Sequence, residues 1–342
     1  KELTETPGIS GQEDRIRRLT MKHLKPLVDE IKIDPMGSII ARKKGTARSP
    51  LKVMVAAHMD QIGFIVSFIE DTGFLRISPV GGFDPRTLIA QRVFVHGKKD
   101  LLGVLGIKPV HVLSEEEKKK PIQIGDLFVD LGMEKKEIDK VVSVGDMVTL
   151  EREFAEMNGS TVCARALDDR LGVYVMIEAL KRLKKCQVDV YAVASVQEEV
   201  GLRGALTAAF GIEPDIGLAI DVTIACDVPG TKPHEIVTKL GSGVAIKIMD
   251  SASISNRKFV DHLVKTAKAN KIPYQMEILP RGGTDAGAIE RARQGLPVAT
   301  LSIPLRYVHT VVEMAHTDDI EATIKLTQKY LEQAHRGNYL YS

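Results

Sequence analysis

The sequence predicts an α/β fold: a mostly parallel sheet covered by helices, with an all-β, barrel-like domain inserted into it. Three observations carry this expectation. Residues 51–57 (LKVMVAA) form an unbroken apolar run, the pattern of a strand buried on both faces. From 61 to 154 the character changes. Short β-type runs at 63–70, 73–80, 92–96, 100–107, 126–131 and 147–150 follow one another, punctuated by Gly, Pro and Asp. After Thr161, helical and strand-like segments alternate, which means helices laid over a sheet with parallel strands.

Each element has its own reason. Residues 12–30 place Ile16, Leu19, Leu24 and Leu27 on one side of a helix, with Arg and Lys opposite. Strands at 30–34 and 38–42 flank the turn Pro35-Met36-Gly37. Within the β-rich stretch only the charged segment 114–120 reads as a helical turn. Beyond it, helices are expected at 171–184, 203–210, 256–270, 284–293 and 318–334. Strands are expected at 188–196, 216–221, 244–249, 274–279 and 298–303. The run at 51–57 belongs by pattern with this later sheet. The expected organisation is one discontinuous α/β domain, residues 1–60 and 155–342, interrupted by a β domain at 61–154.

Composition narrows the function. The chain has 342 residues and 44% hydrophobic residues, enough for a sizeable core. With 47 basic and 45 acidic residues its net charge is +2, which supports neither nucleic acid nor a membrane as partner. No apolar run approaches the roughly 20 residues that a membrane span needs. Cys163, Cys186 and Cys226 are too few and too scattered for a disulfide framework or a thiolate zinc site, and fit a reducing cytoplasm. No signal peptide is visible, and because the chain begins at Lys1 rather than Met, a short preceding segment is expected.

Five clusters of His and carboxylate residues sit where strand-like runs stop: His58-Met59-Asp60, Asp168-Asp169, Glu198-Glu199, Asp221 and His309. Open α/β sheets collect their chemistry at the carboxyl ends of strands. The His58 imidazole is a good metal ligand, and Asp60 can accept its other ring N–H and fix its orientation. Asp169 has a competing reading as a helix cap, whereas Asp168 is preferred as a carboxylate shared between two cations. Of Glu198 and Glu199, one would ligate a metal and the other would act as general base. One shared acid, plus one acid and one His per ion, gives each metal three protein ligands and leaves room for a water. His316, His234 and His111 receive no role.

These segments resemble a known family. AAHMDQIGF, ALDDR, QEEVGLRGA, AIDV, DVPGT, GGTDAGAI and RYVHT are similar to signature segments of the TET-type glutamyl and deblocking aminopeptidases, which are co-catalytic di-zinc metallopeptidases. The likeness runs from TPGISGQE to the last helix. It implies a first metal held by His58 and Asp221 and a second held by Glu199 and His309, with Asp168 bridging. It also implies Glu198 as the general base and Asp60 as the support of His58. Zn is the implied metal, with Co and Mn as alternatives. Asp285 falls in the GGTDAG segment, either near the site or as a helix cap. The resemblance further implies peptide substrates with a free N-terminus. The β insertion would be a dimerisation domain, with dimers that can build tetrahedral dodecamers.

Some relatives carry an endoglucanase label, which makes a glycoside hydrolase the alternative. That reading leaves His58 and His309 without a purpose. It also lacks the aromatic platforms that sugars use, since the chain has no Trp and only 5% aromatic residues. A non-catalytic scaffold is the third reading, opposed by the completeness of the ligand set.

Overall fold

Alternate side chains of the strand Lys52–His58 enter two different cores. Val53, Val55 and Ala57 pack with the helices Leu167–Arg182, Arg257–Ala269 and Thr317–Gln333. Met54 and Ala56 face the opposite way, against the helices Arg203–Ile212 and Asp285–Ile289. A strand covered on both sides has no polar face to offer, which is why its sequence reads as a continuous apolar run. The computed structural model describes residues 1–340.

This strand is the centre of an 11-stranded sheet. Asp189–Ser195 and Ile216–Ile224 flank it on its two sides, both parallel to it. Val298–Arg306 continues the parallel centre beyond Ile216–Ile224. Later strands are therefore added on opposite sides of Lys52–His58, the kind of switch point at which such sheets open a crevice. The flanks are antiparallel. Glu30–Ile33 and Ile39–Lys43 close one side, and Glu313–His316, Thr161–Ala164 and Ala155–Glu156 close the other. Val244–Met249 pairs antiparallel with Val298–Arg306 and parallel with Tyr274–Ile278. The sheet is thus mixed, with its parallel portion where the sequence expects it.

Six strands, Gly63–Ile69, Leu75–Val80, Arg92–His96, Asp100–Ile107, Leu127–Asp130 and Met147–Leu150, close into an antiparallel barrel. Its inward positions alternate along each strand, as with Phe64 and Val66, Val93 and Val95, and Leu127 and Val129. Closure leaves the barrel no free strand edge. Arg15 on the helix Asp14–Leu24 grips Asp100 of the barrel with two hydrogen bonds of 2.6 and 2.8 Å, tying barrel to sheet.

Four expectations shift. The first long helix ends at Leu24, where Lys25–Leu27 tightens into a 3-10 turn around Pro26, whose ring cannot continue the α-helical ladder. The strand expected to stop at Asp221 runs on to Ile224, because Val222–Ile224 keep pairing with Ile303–Leu305 of a neighbour that is itself longer than expected. The helix expected over 284–293 covers only Asp285–Ile289, and the left-handed Arg293 and Gly295 turn the chain back into the sheet. The strands Thr161–Ala164 and Glu313–His316 were not expected, being four residues each with no clear period of two. No helix among the described residues is long and apolar enough to cross a membrane.

Candidate metal centre

His58 is the last residue of the central strand and is almost fully buried. Its Nε2 lies 3.1 Å from Asp168 Oδ1. On the other side of the same carboxylate, Asp168 Oδ2 lies 3.4 Å from His309 Nε2, and His309 Nε2 lies 3.3 Å from Glu199 Oε2. The two oxygens of Asp168 are thus divided between two histidines from opposite ends of the chain. Two triads result, His58–Asp168–Asp221 and Asp168–Glu199–His309, each with ligand atoms within 4.8 Å of one another. All five expected ligands are brought together, and Asp168 belongs to both sets.

The local backbone explains how. Asp168 and Asp169 lie outside helical geometry at the entrance of the helix Leu167–Arg182. Asp169 turns away from the triads. It accepts hydrogen bonds from Gly172 N at 2.9 Å and from His58 N at 3.2 Å, so it caps the helix and fastens it to the central strand. Asp221 lies within its strand rather than at the end, with its carboxylate still facing His58 and Asp168. His309 has φ of +61°, a left-handed conformation that non-glycine residues rarely adopt.

Asp60 does more than the sequence suggests. His58 Nδ1 hydrogen-bonds the main-chain carbonyl of Asp60 at 3.1 Å, while the nearer carboxylate oxygen stands 3.5 Å away. That carboxylate accepts from Ser10 Oγ at 2.6 Å and from the amides of Glu198 and Glu199 at 3.1 and 3.3 Å. Asp60 therefore faces His58 Nδ1 with both its main-chain carbonyl and its carboxylate, and its side chain also fixes the turn that carries both glutamates. Glu198 belongs to neither triad, with its Oε2 3.8 Å from His58 Nε2.

The electrostatics suit cations. Burial, reinforced by Asp221 and Glu199, holds the Glu198 carboxyl well above its ordinary value. Burial also holds Asp221 well above its ordinary value and raises Glu199, with Asp168 adding to both. Burial also opposes ionisation of Asp168, yet the hydrogen bonds with His309 and His58 prevail and hold it below the usual carboxylate range. Burial works against a charged His309, but Asp168 and Glu199 push its imidazole up to about 12. The cluster thus crowds several acids around two imidazoles, an excess of negative charge that suits cations. Glu199 Oε1 is buried without any hydrogen-bond partner, a cost that a cation contact removes. Donor set, spacing and orphaned oxygen all fit divalent ions with His and carboxylate ligands. A cleft of about 640 Å³ opens over these side chains, edged by Leu202, Ile224, Leu279 and Val308.

A profile of the M42 glutamyl aminopeptidases matches residues 37–326. The chain belongs to this family. As an M42 member it is an aminopeptidase, a hydrolase of peptide bonds in a metal-dependent family. It is 41% identical to the lysyl aminopeptidase of Pyrococcus furiosus over 97% of this chain and 96% of that one. It superposes on an aminopeptidase from the archaeon Desulfurococcus kamchatkensis with a TM-score of 0.93, at 42% identity, covering 99% and 97% of the two chains. A TET1 peptidase of Pyrococcus horikoshii, which can assemble into a tetrahedron or a large octahedral shell, matches with a TM-score of 0.86 at 36% identity, over 96% and 97%.

Two residues of this M42 aminopeptidase escaped the sequence reading. Glu313 is buried and accepts from His309 N at 2.9 Å and from Asp168 N at 3.1 Å, so one carboxylate positions two members of the triads from separate segments. Burial, with Asp168 adding, pushes its carboxyl up to about 8. Its only sequence signal is an acid inside the apolar run Val311-Val312-Glu313-Met314-Ala315. Ser10, the donor to Asp60, lies in the TPGISGQE segment and carries no signal of its own. Asp285 is not a cap: it accepts from Ser195 Oγ, the register partner of His58, and its other oxygen is buried without a partner. His316 has a plain structural use, accepting from Asp318 N at the start of the last helix.

Proposed function

We propose that this aminopeptidase works with two divalent cations, one per triad, and that Glu198 is its general base. The division of the Asp168 oxygens between His58 and His309 carries the reading. Asp168 would be shared, with His58 and Asp221 completing one site and Glu199 and His309 the other. Zn suits these ligands best, and Co and Mn accept the same donors. Cations bound there would polarise the scissile carbonyl and make water a stronger nucleophile.

The chain's own groups do the rest. Glu198 stands free of both triads and faces the cleft beside His58. It removes a proton from the attacking water and returns it to the departing amine. Asp60 keeps Glu198 and Glu199 apart by holding both of their amides, so that one carboxylate handles protons while its neighbour ligates. The apolar edge of the cleft receives side chains of a peptide with a free N-terminus.

Chelation tests the metal reading. A strong chelator is expected to bring hydrolysis of aminoacyl-p-nitroanilides to background, and added Zn, Co or Mn to restore it. Full activity after verified metal removal would sink the proposal. The same preparation should leave β-glucan intact. Chelator-resistant release of sugar from it would favour the glycosidase alternative, which needs only two carboxylates.

The barrel is part of the proposal as an assembly element. Phe68, Leu102 and Val104 stand exposed on its outside, apolar surface that a dimer would cover. We expect a homodimer in native mass measurements, with dimers able to build a tetrahedral dodecamer. A monomer at micromolar concentration would count against it.

A further inference from the structure

We infer that the inserted barrel positions the His309 side of the metal centre, through Val311. The chain leaves the strand Val298–Arg306 and rejoins the sheet at Glu313–His316. In between, Tyr307 and His309 both adopt left-handed backbone geometry. Such conformations persist only where the surroundings over-determine them. Arg306 anchors the entry with bonds of 2.7 and 2.8 Å to Asp227, and Glu313 anchors the exit by accepting from His309 N.

Between these anchors, Tyr307 and Val312 are 48% and 41% exposed, whereas Val311 is 4% exposed. Val311 does not pack into the core of the sheet. It is a member of the buried cluster inside the barrel, together with Phe64, Leu88, Val93 and Val148. The barrel touches the same loop from a second direction. At Gly82, just past the strand Leu75–Val80, an added Cβ would stand 3.6 Å from His309 Nδ1, and at the adjoining Gly81 it would stand 3.4 Å from Glu199 Cβ. Phe83, stacked on Phe64 with centroids 4.4 Å apart, holds that segment against the barrel core. Two ligands of one triad, His309 and Glu199, are thus bordered by barrel residues. The other triad draws His58 and Asp221 from strands of the sheet and shares Asp168 at the helix entrance.

The inference is therefore a selective one. Val311 is a positioning residue, and loosening it weakens cation binding at Asp168–Glu199–His309 more than at His58–Asp168–Asp221. It rests on the two-cation reading above. Val311→Ala is compared with Val93→Ala, which removes the same two methyl groups from the same barrel core but leaves the segment from Arg306 to Glu313 unaltered. Metal-free protein of each variant is titrated with Zn by calorimetry, and thermal midpoints are recorded alongside.

Both variants are expected to lose similar stability. Val311→Ala is expected to bind one of its two ions at least about tenfold more weakly, as for groups that support a ligand, while Val93→Ala keeps wild-type affinities. Equal affinities in the two variants would overturn the inference. A wild-type protein that takes up fewer than two ions would instead overturn the reading on which it rests. If Val311→Ala does not fold, Val311→Thr takes its place, because it keeps the shape and loses the apolar contact.

Discussion

Glu198→Gln is expected to lower kcat by about 10²–10⁴, the usual contribution of a positioned general base, while leaving metal content and thermal midpoint close to wild type. Gln has the size of Glu and can still meet the surroundings of the carboxyl, but it cannot take up a proton. The amide of residue 198 would still donate to Asp60, so the turn that carries Glu199 should hold. KM should change little, since the lost interaction is one made in the transition state. The measurement is turnover of aminoacyl-p-nitroanilides together with metal analysis of the same sample. Near wild-type kcat would remove Glu198 from its assigned role. A fall in kcat that followed lost metal would make it a ligand instead.

The pair Glu198-Glu199 shows how far the sequence alone could go. Two adjacent acids at the end of an apolar strand announce a site, because burying both is costly unless each has a use. Which of the two does which job is not written in that pair. It depends on which carboxylate faces His309, and His309 arrives from more than a hundred residues away. The resemblance to aminopeptidases is what makes the assignment on the sequence; in the structure Glu199 stands 3.3 Å from His309 while Glu198 lies outside both triads.

The fold follows the same rule. Elements with strong local periodicity were legible, among them all six barrel strands and the buried central strand. The short antiparallel strands Thr161–Ala164 and Glu313–His316 were not, because they exist through pairing with each other and with a distant strand rather than through any pattern of their own. Glu313 was missed for that reason. Its role is set by two main-chain amides 145 and 4 residues away. Asp60 was recognised as important but for an incomplete reason. Spacing suggested a contact with His58, and nothing local revealed that its carboxylate would collect the amides of Glu198 and Glu199.

Asp168 is the residue whose loss should reach furthest. Two unit charges 4 Å apart interact by about 4 kcal/mol at an effective dielectric of 20, and the repulsion between two dications is fourfold larger. A shared carboxylate offsets that repulsion for both ions at once. Asp168→Asn keeps the shape and removes the charge, so both cation affinities should fall, each by at least about 100-fold, the upper end seen for residues that merely support a ligand. His58→Ala and His309→Ala provide the contrast, since each removes a member of one triad only and should weaken mainly one ion. Calorimetric titration of the three metal-free variants with Zn separates the cases. If Asp168→Asn weakens a single ion, the carboxylate is not shared and the division of its oxygens between His58 and His309 has no functional meaning. If it weakens both, the contact geometry of one side chain, reaching 3.1 Å to one histidine and 3.4 Å to the other, accounts for why the two triads work as one centre.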